Sequence, residues 1–251
     1  MVGALSQFTG LSVELLLAFG GAVLIAGVVR GFTGFGFSAL TVAIMFFVIP
    51  VSLIVPVVYT LEVAASVQML KSVWRQIDWK LFLWIAAGCL AGAPVGQRLL
   101  MALDAEQART MASIIVLALV ALTAAGLRVR LNNYAGYYLF VGLSGGIING
   151  AVGMGGLMIG ALLMMTTLRV ANLRATLVIV LFYLGSYSLL AGAFNGLVTT
   201  QNLGLSLTMV PAMIIGIMLG ACLFHPERDV LYRRVTLGLL IVLGLGGLFI
   251  R

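Results

Sequence analysis

Two glycine-rich stretches contain the residues of this sequence that could bind a small anion. The first reads RGFTGFGF from Arg30, and the second reads NGAVGMGG from Asn149. A glycine break exposes unpaired backbone N–H groups at the start of the next helix, and these groups attract anions together with the helix dipole. Arg30 adds a full positive charge to one break, and Asn149 adds a neutral amide to the other. The sequence therefore predicts a small polar site for an anion.

The candidate binding residues are one cation, two hydroxyls, one amide and the glycines of both stretches. They are Arg30, Gly31, Thr33, Gly34, Gly36, Ser38, Asn149, Gly150, Gly153, Gly155 and Gly156. We expect the helix starts at Phe37 and Gly156 to face the anion. Two other interpretations stay open: Arg30 could reach the membrane surface and only mark topology, and the glycines could serve only helix packing.

Glu62 is the other outlier, because it lies near the middle of an apolar segment, in VVYTLEVAASVQMLK. An acid at such depth is costly and is a functional candidate by default. Glu62 could carry a coupling proton, or it could be the structural partner of a buried cation such as Arg30. Four further polar residues are candidates for lining a cavity: Tyr59, Gln68, Tyr183 and Tyr187.

The composition predicts the environment of these residues. The chain is 63% hydrophobic and only 8% charged, whereas a soluble domain carries about a quarter charged residues. Its mean hydropathy is +1.21. We therefore expect an all-α integral membrane protein in the cell (inner) membrane, because lipid offers no partners for an open backbone.

Charged and turn residues divide the chain into about ten apolar segments, of which eight to ten are transmembrane or broken helices. The predicted spans are 12–30, 37–50, 52–71, 81–100, 110–127, 134–149, 156–168, 173–192, 204–223 and 233–250. The segments 37–50 and 156–168 are short, near 20 Å at about 1.5 Å per residue. They either cross fully or re-enter. Short helices beside glycine breaks at matching positions in two halves indicate a transporter binding site.

The spacing of the motifs predicts an internal duplication. An offset of 119 residues aligns the two glycine stretches, and an offset of 124 aligns Gly92 and Gly96 of GAPVG with Gly216 and Gly220 of GIMLG. We expect two homologous repeats, residues 1–127 (the first half) and 128–251 (the second half), that form one membrane domain. Glycines four residues apart let neighbouring backbones approach closely.

The positions of the basic residues predict that the two halves are inverted. If ten segments cross and the N-terminus is outside, 11 of the 14 basic residues lie on the cytoplasmic side, as the positive-inside rule requires. These are Arg30, Lys71, Arg75, Lys80, Arg128, Arg130, Arg169, Arg174, Arg228, Arg233 and Arg234. Five crossings in each half then give the halves opposite orientations, the plan of many secondary transporters.

Several functions are excluded or disfavoured by what the sequence lacks. The basic residues form no patch, which argues against nucleic acid despite the net charge of +7. The segments contain no acid pair, no histidine pair and no Ser/His/Asp set, so we expect neither an enzyme nor a metal site nor a cofactor. A Walker lysine motif is also missing. The expected partners are a small anion and the lipid bilayer, with a homo-oligomer left open.

The motifs resemble those of the TauE/SafE family of sulfite and organosulfonate exporters over nearly the whole chain. The resemblance lies in RGFTGFGF and NGAVGMGG, in GAPVG and GIMLG, and in the basic stretch HPERDVLYRRVTLGLLIVLGLGGL. Phe35 and Phe37 stand where small residues are common in the family, which would narrow the site or change what it accepts. The resemblance implies a secondary transporter, an exporter of a small sulfur-containing anion such as sulfite, sulfoacetate or thiosulfate. An anion channel and a transporter of a different small organic anion are the alternatives.

Overall fold

The computed structural model describes residues 11–45, 48–104 and 134–224, and a few isolated positions at 106, 107, 110, 111, 114, 118 and 238. These ranges fold into eight α-helices, with a 3₁₀ turn at Trp74–Gln76. The helices are α1 Val13–Thr33, α2 Phe37–Met45, α3 Val51–Val73, α4 Trp79–Ala102, α5 Tyr134–Val152, α6 Gly155–Met164, α7 Val170–Phe194 and α8 Thr200–Leu223. The predicted segments 110–127 and 233–250 lie largely outside the described residues.

Six of the described helices, α1, α3, α4, α5, α7 and α8, are long and apolar enough to cross a membrane. Each has between 19 and 25 residues, which matches the roughly 20 residues that a spanning helix needs. The two helices after the glycine breaks, α2 and α6, have only 9 and 10 residues. The all-α membrane fold predicted from the sequence is confirmed, and eight of the ten predicted segments coincide with described helices.

Local sequence signals fix where the long helices begin. Ser12, Asp78 and Thr199 precede α1, α4 and α8, and the side chain of each accepts a hydrogen bond from a backbone N–H three residues on. For Asp78 the acceptor distance is 3.0 Å, to the N–H of Leu81. Such caps satisfy donors that a helix start otherwise leaves without a partner.

Glycines bring the backbones of α1 and α8 into direct contact. A Cβ added to Gly31 would overlap the carbonyl oxygen of Ile217, and one added to Gly220 would overlap the carbonyl oxygen of Val28. No larger residue fits at either position without moving a helix. The close approach predicted for GIMLG is confirmed here.

The same contact recurs between α4 and α5. A Cβ on Gly96 would overlap the carbonyl oxygen of Ile147, and one on Gly150 would overlap that of Ala93. In the predicted repeat alignment Gly31 corresponds to Gly150 and Gly220 to Gly96. Each half therefore uses its first long helix to pack against the last described helix of the other half.

The two remaining long helices, α3 and α7, pack against each other in the interior. Gly185 of α7 lies against the Cβ and Cγ of Glu62 in α3. Leu61 of α3 and Leu184 of α7 are completely buried. The short helices α2 and α6 lie beside this pair, so the glycine breaks are close to the centre of the protein.

Candidate functional site

The first glycine-rich stretch begins inside a helix. Arg30 and Gly31 lie in the last turn of α1, which continues to Thr33. The N–H of Gly34 then donates to the carbonyl oxygen of Arg30 over 2.8 Å and closes the helix. The predicted end of the first segment at residue 30 is therefore wrong by one turn, because a helix in lipid keeps its backbone hydrogen-bonded as far as it can.

The break itself covers only residues 34–36. Gly34 has φ of 84° and Gly36 has φ of 88°, a left-handed conformation that glycine adopts without steric cost. The hydroxyl oxygen of Thr33 accepts the N–H of Phe35 over 3.2 Å and holds the turn. The short helix α2 starts at Phe37, as predicted.

Arg30 is the centre of a buried polar cluster. Its Nη1 donates to the carbonyl oxygen of Gly34 over 2.7 Å and lies 2.9 Å from Oε1 of Glu62. Its Nη2 donates to Oγ of Ser66 over 2.7 Å. The cation therefore joins the end of α1, the turn after it and the middle of α3.

The side chain of Arg30 does not reach the surface. The residue is 0% exposed, which does not fit an arginine that extends to the membrane surface. A buried charge is costly unless it is paired, and Glu62 supplies the opposite charge. The pairing suggested as one role of Glu62 is present. The Nε of Arg30 has no hydrogen-bond partner among the described residues, so a donor remains available.

The Glu62 carboxylate occupies the place where the sequence predicts an anion. It lies beside Arg30 and beside Ser38, the second residue of α2, whose hydroxyl and backbone N–H face it. No hydrogen bond of regular geometry from a described residue reaches either carboxylate oxygen. Glu62 and Ser38 are 5% and 2% exposed. The start of α2 is thus neutralised by an acid of the chain itself.

The second glycine-rich stretch is built in the same way. Asn149 and Gly150 lie in the last turns of α5, and the chain turns at Gly153 with φ of 74°. The short helix α6 starts at Gly155, one residue before the predicted start at Gly156. The predicted end of the preceding segment at 149 is three residues too early, for the same reason as in the first half.

Asn149 belongs to a neutral network, in contrast to the ion pair of Arg30. Its side-chain Nδ2 donates to Oγ of Ser188 over 3.0 Å. Its backbone carbonyl oxygen accepts a hydrogen bond from the hydroxyl of Tyr59 over 2.8 Å. The amide of Gln97 donates to the carbonyl oxygen of Ser188 over 3.0 Å. Tyr59 and Gln97 come from the first half, so this network connects the two halves.

Arg174 is a buried cation that the sequence analysis missed as a candidate for the site. It is 7% exposed, and its Nη2 donates to the carbonyl oxygen of Gly31 over 2.6 Å. Its guanidinium carbon lies 4.2 Å from the ring centroid of Phe224, a cation–π distance. A Cβ on Gly34 would come within 2.7 Å of its Cγ.

The ten-segment topology predicted from the sequence places Arg174 on the cytoplasmic side, near the beginning of an apolar segment. The repeat alignment contained a signal for a different role, since the offset of 119 pairs Arg174 with the apolar Val55. Val55 packs against Gly153 as Arg174 packs against Gly34. An arginine at the position of a core valine indicates a buried cation.

The other candidate cavity residues have separate surroundings. Gln68 donates from its amide to the carbonyl oxygen of Ile214 in α8 over 3.3 Å. Tyr183 and Tyr187 stack with their ring centroids 6.4 Å apart, as expected for residues four apart on one helix face. Of the four candidates, Tyr59 contacts the second glycine-rich stretch, and its hydroxyl is already used there.

The cluster contains the kinds of group that bind anions in proteins. A buried guanidinium and nearby hydroxyls can bind a compact oxyanion through charge-assisted hydrogen bonds. In the described ranges, histidine, cysteine, aspartate and glutamate form no group of three that could hold a metal ion.

Comparison with known proteins identifies a family for this chain. A family model described as Sulfite exporter TauE/SafE matches residues 19–246, which is nearly the whole chain. No curated protein and no solved structure is significantly similar to the chain.

Proposed function

Because the chain belongs to the TauE/SafE family of sulfite exporters, we propose that it is a secondary transporter that exports a small sulfur-containing anion. Sulfite, sulfoacetate and thiosulfate are the candidate substrates. The observation that carries the proposal is Arg30, a completely buried cation with a spare Nε donor beside the start of α2. A fixed charge at a helix start suits an oxyanion with several acceptor oxygens.

The directions of the helices support two halves of opposite orientation. Gly27 of α1 faces the carbonyl oxygen of Met213 in α8. Gly31, one turn later, faces that of Ile217, so α1 and α8 run parallel. Only residues 195–199 connect α7 to α8, and two spanning helices joined so closely run antiparallel. The direction of α7 is therefore opposite to that of α1.

The pair α3 and α7 extends this argument. Gly185, late in α7, lies against Glu62 in the middle of α3. Thr176, early in α7, accepts the N–H of Asp78 over 3.2 Å, and Asp78 follows α3. The two helices thus run antiparallel, and α3 has the direction of α1. The short connection between α3 and α4 then gives α4 the opposite direction.

The last link is the contact between α4 and α5. Gly88 faces the carbonyl oxygen of Leu139, and Gly96, two turns later, faces that of Ile147. The helices α4 and α5 are therefore parallel, so the direction of α5 is opposite to that of α1. These relations favour inverted repeats. The orientation that we propose, with the N-terminus outside the cell (inner) membrane and residues 71–80 in the cytoplasm, rests on the positions of the basic residues.

Contacts across the halves support a site between the two breaks. Gly34 packs on Arg174 of α7, and Gly153 packs on Val55 of α3. Phe35, in the first break, lies against Gly160 of α6. In inverted-repeat transporters, motion of one repeat against the other around such a site provides alternating access. We infer that the anion binds near the middle of the membrane, at the Arg30 side of this contact.

The test is a flux assay with purified protein in liposomes. We expect radiolabelled sulfite, sulfoacetate or thiosulfate to move faster than in protein-free liposomes, with saturation, whereas chloride and acetate do not compete. Arg30→Gln should weaken the affinity by about tenfold or more, as expected for a lost charge-assisted bond. Arg30→Lys should restore part of the affinity, because the ammonium group of lysine keeps the positive charge but lacks the planar set of donors of a guanidinium.

The exposed Arg75 gives the matched control, because Arg75→Gln removes the same charge away from the site. Wild-type affinity in Arg30→Gln would contradict the assignment of the site. Flux of acetate in preference to every sulfur anion would favour the transport of a different organic anion, and unsaturable flux of chloride would favour a channel.

A further inference from the structure

We propose that Glu62 is an internal substitute for the transported anion, so that one proton and one monovalent anion bind to the site together. This inference rests on the function proposed above. In the described structure the carboxylate of Glu62 forms an ion pair with Arg30. When Glu62 takes up a proton, Arg30 is released to the substrate.

The geometry gives Glu62 the contacts that a bound anion would have. Its Oε1 lies 2.9 Å from Nη1 of Arg30, and the hydroxyl and backbone N–H of Ser38 face the carboxylate at the start of α2. Both positions are the ones that an oxyanion would need. The substrate and the ionised Glu62 therefore compete for one cation.

The charge balance of the site argues for a proton as the second ligand. Arg30 and Glu62 together carry no net charge, and both are buried. A monovalent anion added to this pair would leave one uncompensated negative charge in the interior, which is costly. If Oε2 of Glu62 binds a proton, the cluster contains a guanidinium, an anion and a neutral acid. For a monovalent substrate such as hydrogen sulfite, the site is then uncharged with and without substrate, whereas a dianion such as thiosulfate would leave one negative charge uncompensated.

The groups around Glu62 are compatible with this exchange. From α1 it faces Arg30, which is the one charged group acting on it in the described part of the chain. From α2 it faces Ser38, and from α7 it faces Gly185. Oε2 accepts no hydrogen bond of regular geometry from the described residues, so a proton there competes only with the looser contacts of Ser38 to the carboxylate. The proton comes from water and leaves to water, and no other bond changes.

The second half has no equivalent acid. Leu181 corresponds to Glu62 in the repeat alignment, and its side chain lies against Gly156 at the start of α6. Each chain should therefore couple one proton, not two. The coupled movement of a proton and a monovalent anion carries no net charge, so the membrane potential should not drive it. Export by this route runs down the concentration gradient of the anion itself, because an inward pH gradient drives the proton and the anion into the cell.

Proton uptake can be measured directly by calorimetry. Methanesulfonate, a permanently ionised monovalent sulfonate, and sulfite are titrated into the purified protein in buffers of different ionisation heat. We expect about one proton per methanesulfonate bound in the wild type, and an affinity that falls about tenfold per pH unit where Glu62 is ionised. Glu62→Gln should bind the anion without proton uptake and without this pH dependence. Glu14→Gln, at an exposed acid in the first turn of α1, should behave like the wild type.

Liposomes with an internal pH dye give the second measurement. Wild-type methanesulfonate flux should acidify the receiving side and should not respond to a potential imposed with valinomycin, whereas flux through Glu62→Gln should respond. Normal wild-type flux without proton movement would overturn the coupling alone. If no tested sulfur anion crosses, the proposed function falls and the coupling with it. The wild-type measurements decide the matter even if Glu62→Gln does not fold.

Discussion

Arg174 in the second half donates a hydrogen bond to the carbonyl oxygen of Gly31 in the first half, over 2.6 Å. Gly31 lies in the last turn of α1. The carbonyl oxygens of a last turn have no N–H partner within the helix. Arg174 therefore completes the end of α1 from outside, next to the turn at Gly34. This contact holds the first glycine break against α7.

Removal of this donor should destabilise the protein. Arg174→Met keeps an unbranched apolar stem but leaves the Gly31 carbonyl without its partner. We expect a loss of about 1.5–3 kcal/mol, the range for hydrogen bonds from charged groups, seen as a lower thermal midpoint in detergent. Arg75→Met, at an exposed arginine, should change stability by less than about 0.5 kcal/mol. Equal midpoints for the two variants would show that the contact contributes nothing.

The close-packed glycines should not accept even one methyl group. Gly220→Ala and Gly96→Ala each put a Cβ into the backbone of a neighbouring helix, and we expect a cost of about 1–3 kcal/mol. Gly21→Ala in α1 is the matched control, because its Cβ would meet nothing within 4 Å. That variant should be neutral or more stable by up to about 1 kcal/mol. Thermal midpoints of the three proteins check this, and the idea fails if all three shift alike.

The two breaks should differ in their tolerance of alanine. Gly34 and Gly153 both have positive φ, which costs a larger residue about 1–2 kcal/mol. At Gly34 the new Cβ would also lie 2.7 Å from Cγ of Arg174, whereas at Gly153 the nearest atom is 3.4 Å away on Val55. Gly34→Ala should therefore melt lower than Gly153→Ala and lose more flux. A reversed order would contradict the packing described here.

Arg30 and Glu62 should depend on each other for stability. Arg30→Gln leaves a buried carboxylate without its counter-ion, which should cost about 3–5 kcal/mol. The double variant with Glu62→Gln removes both charges and should recover most of that loss. Thermal unfolding of the wild type, the two single variants and the double variant gives the coupling free energy. Strictly additive losses would mean that the ion pair does not form in the membrane.

Labelling from one side tests the orientation of the halves. In a background with Cys89→Ala and Cys222→Ala, a cysteine at Thr200 should react with an impermeant maleimide added outside intact cells, and one at Gln76 should not. Both positions are exposed and lie next to helix ends. Reaction of both cysteines from the same side would rule out the inverted arrangement.

The sequence was sufficient for the helices and for their glycine contacts, because both follow from local patterns. The apolar segments had to be helical in lipid, and Gly92, Gly96, Gly216 and Gly220 recur at the spacing that brings backbones together. The suggestion that Arg30 pairs with Glu62 also needed no coordinates, since a buried cation needs an anion and few acids exist in the segments.

The sequence was insufficient where a residue's surroundings come from the other half of the chain. The burial of Arg174 depends on Gly34 and Phe224, which lie far from it in sequence. That Glu62 lies at the start of α2 depends on how α3 is placed beside Ser38. Tertiary contacts decide both, and no local pattern contains them.

The packing of α1 against α8 also means that α1 has to wait for its partner helix during biosynthesis. The chain between Thr33 and Thr200 must be translated before the partner of α1 exists, which at about 5–20 residues per second takes on the order of ten seconds or longer. Until then the glycine face of α1 meets only lipid or the insertion machinery. A ribosome that stalls before residue 200 should therefore leave a nascent chain in which α1 can bind α3 through Arg30 and Glu62 but its glycine face has no partner helix.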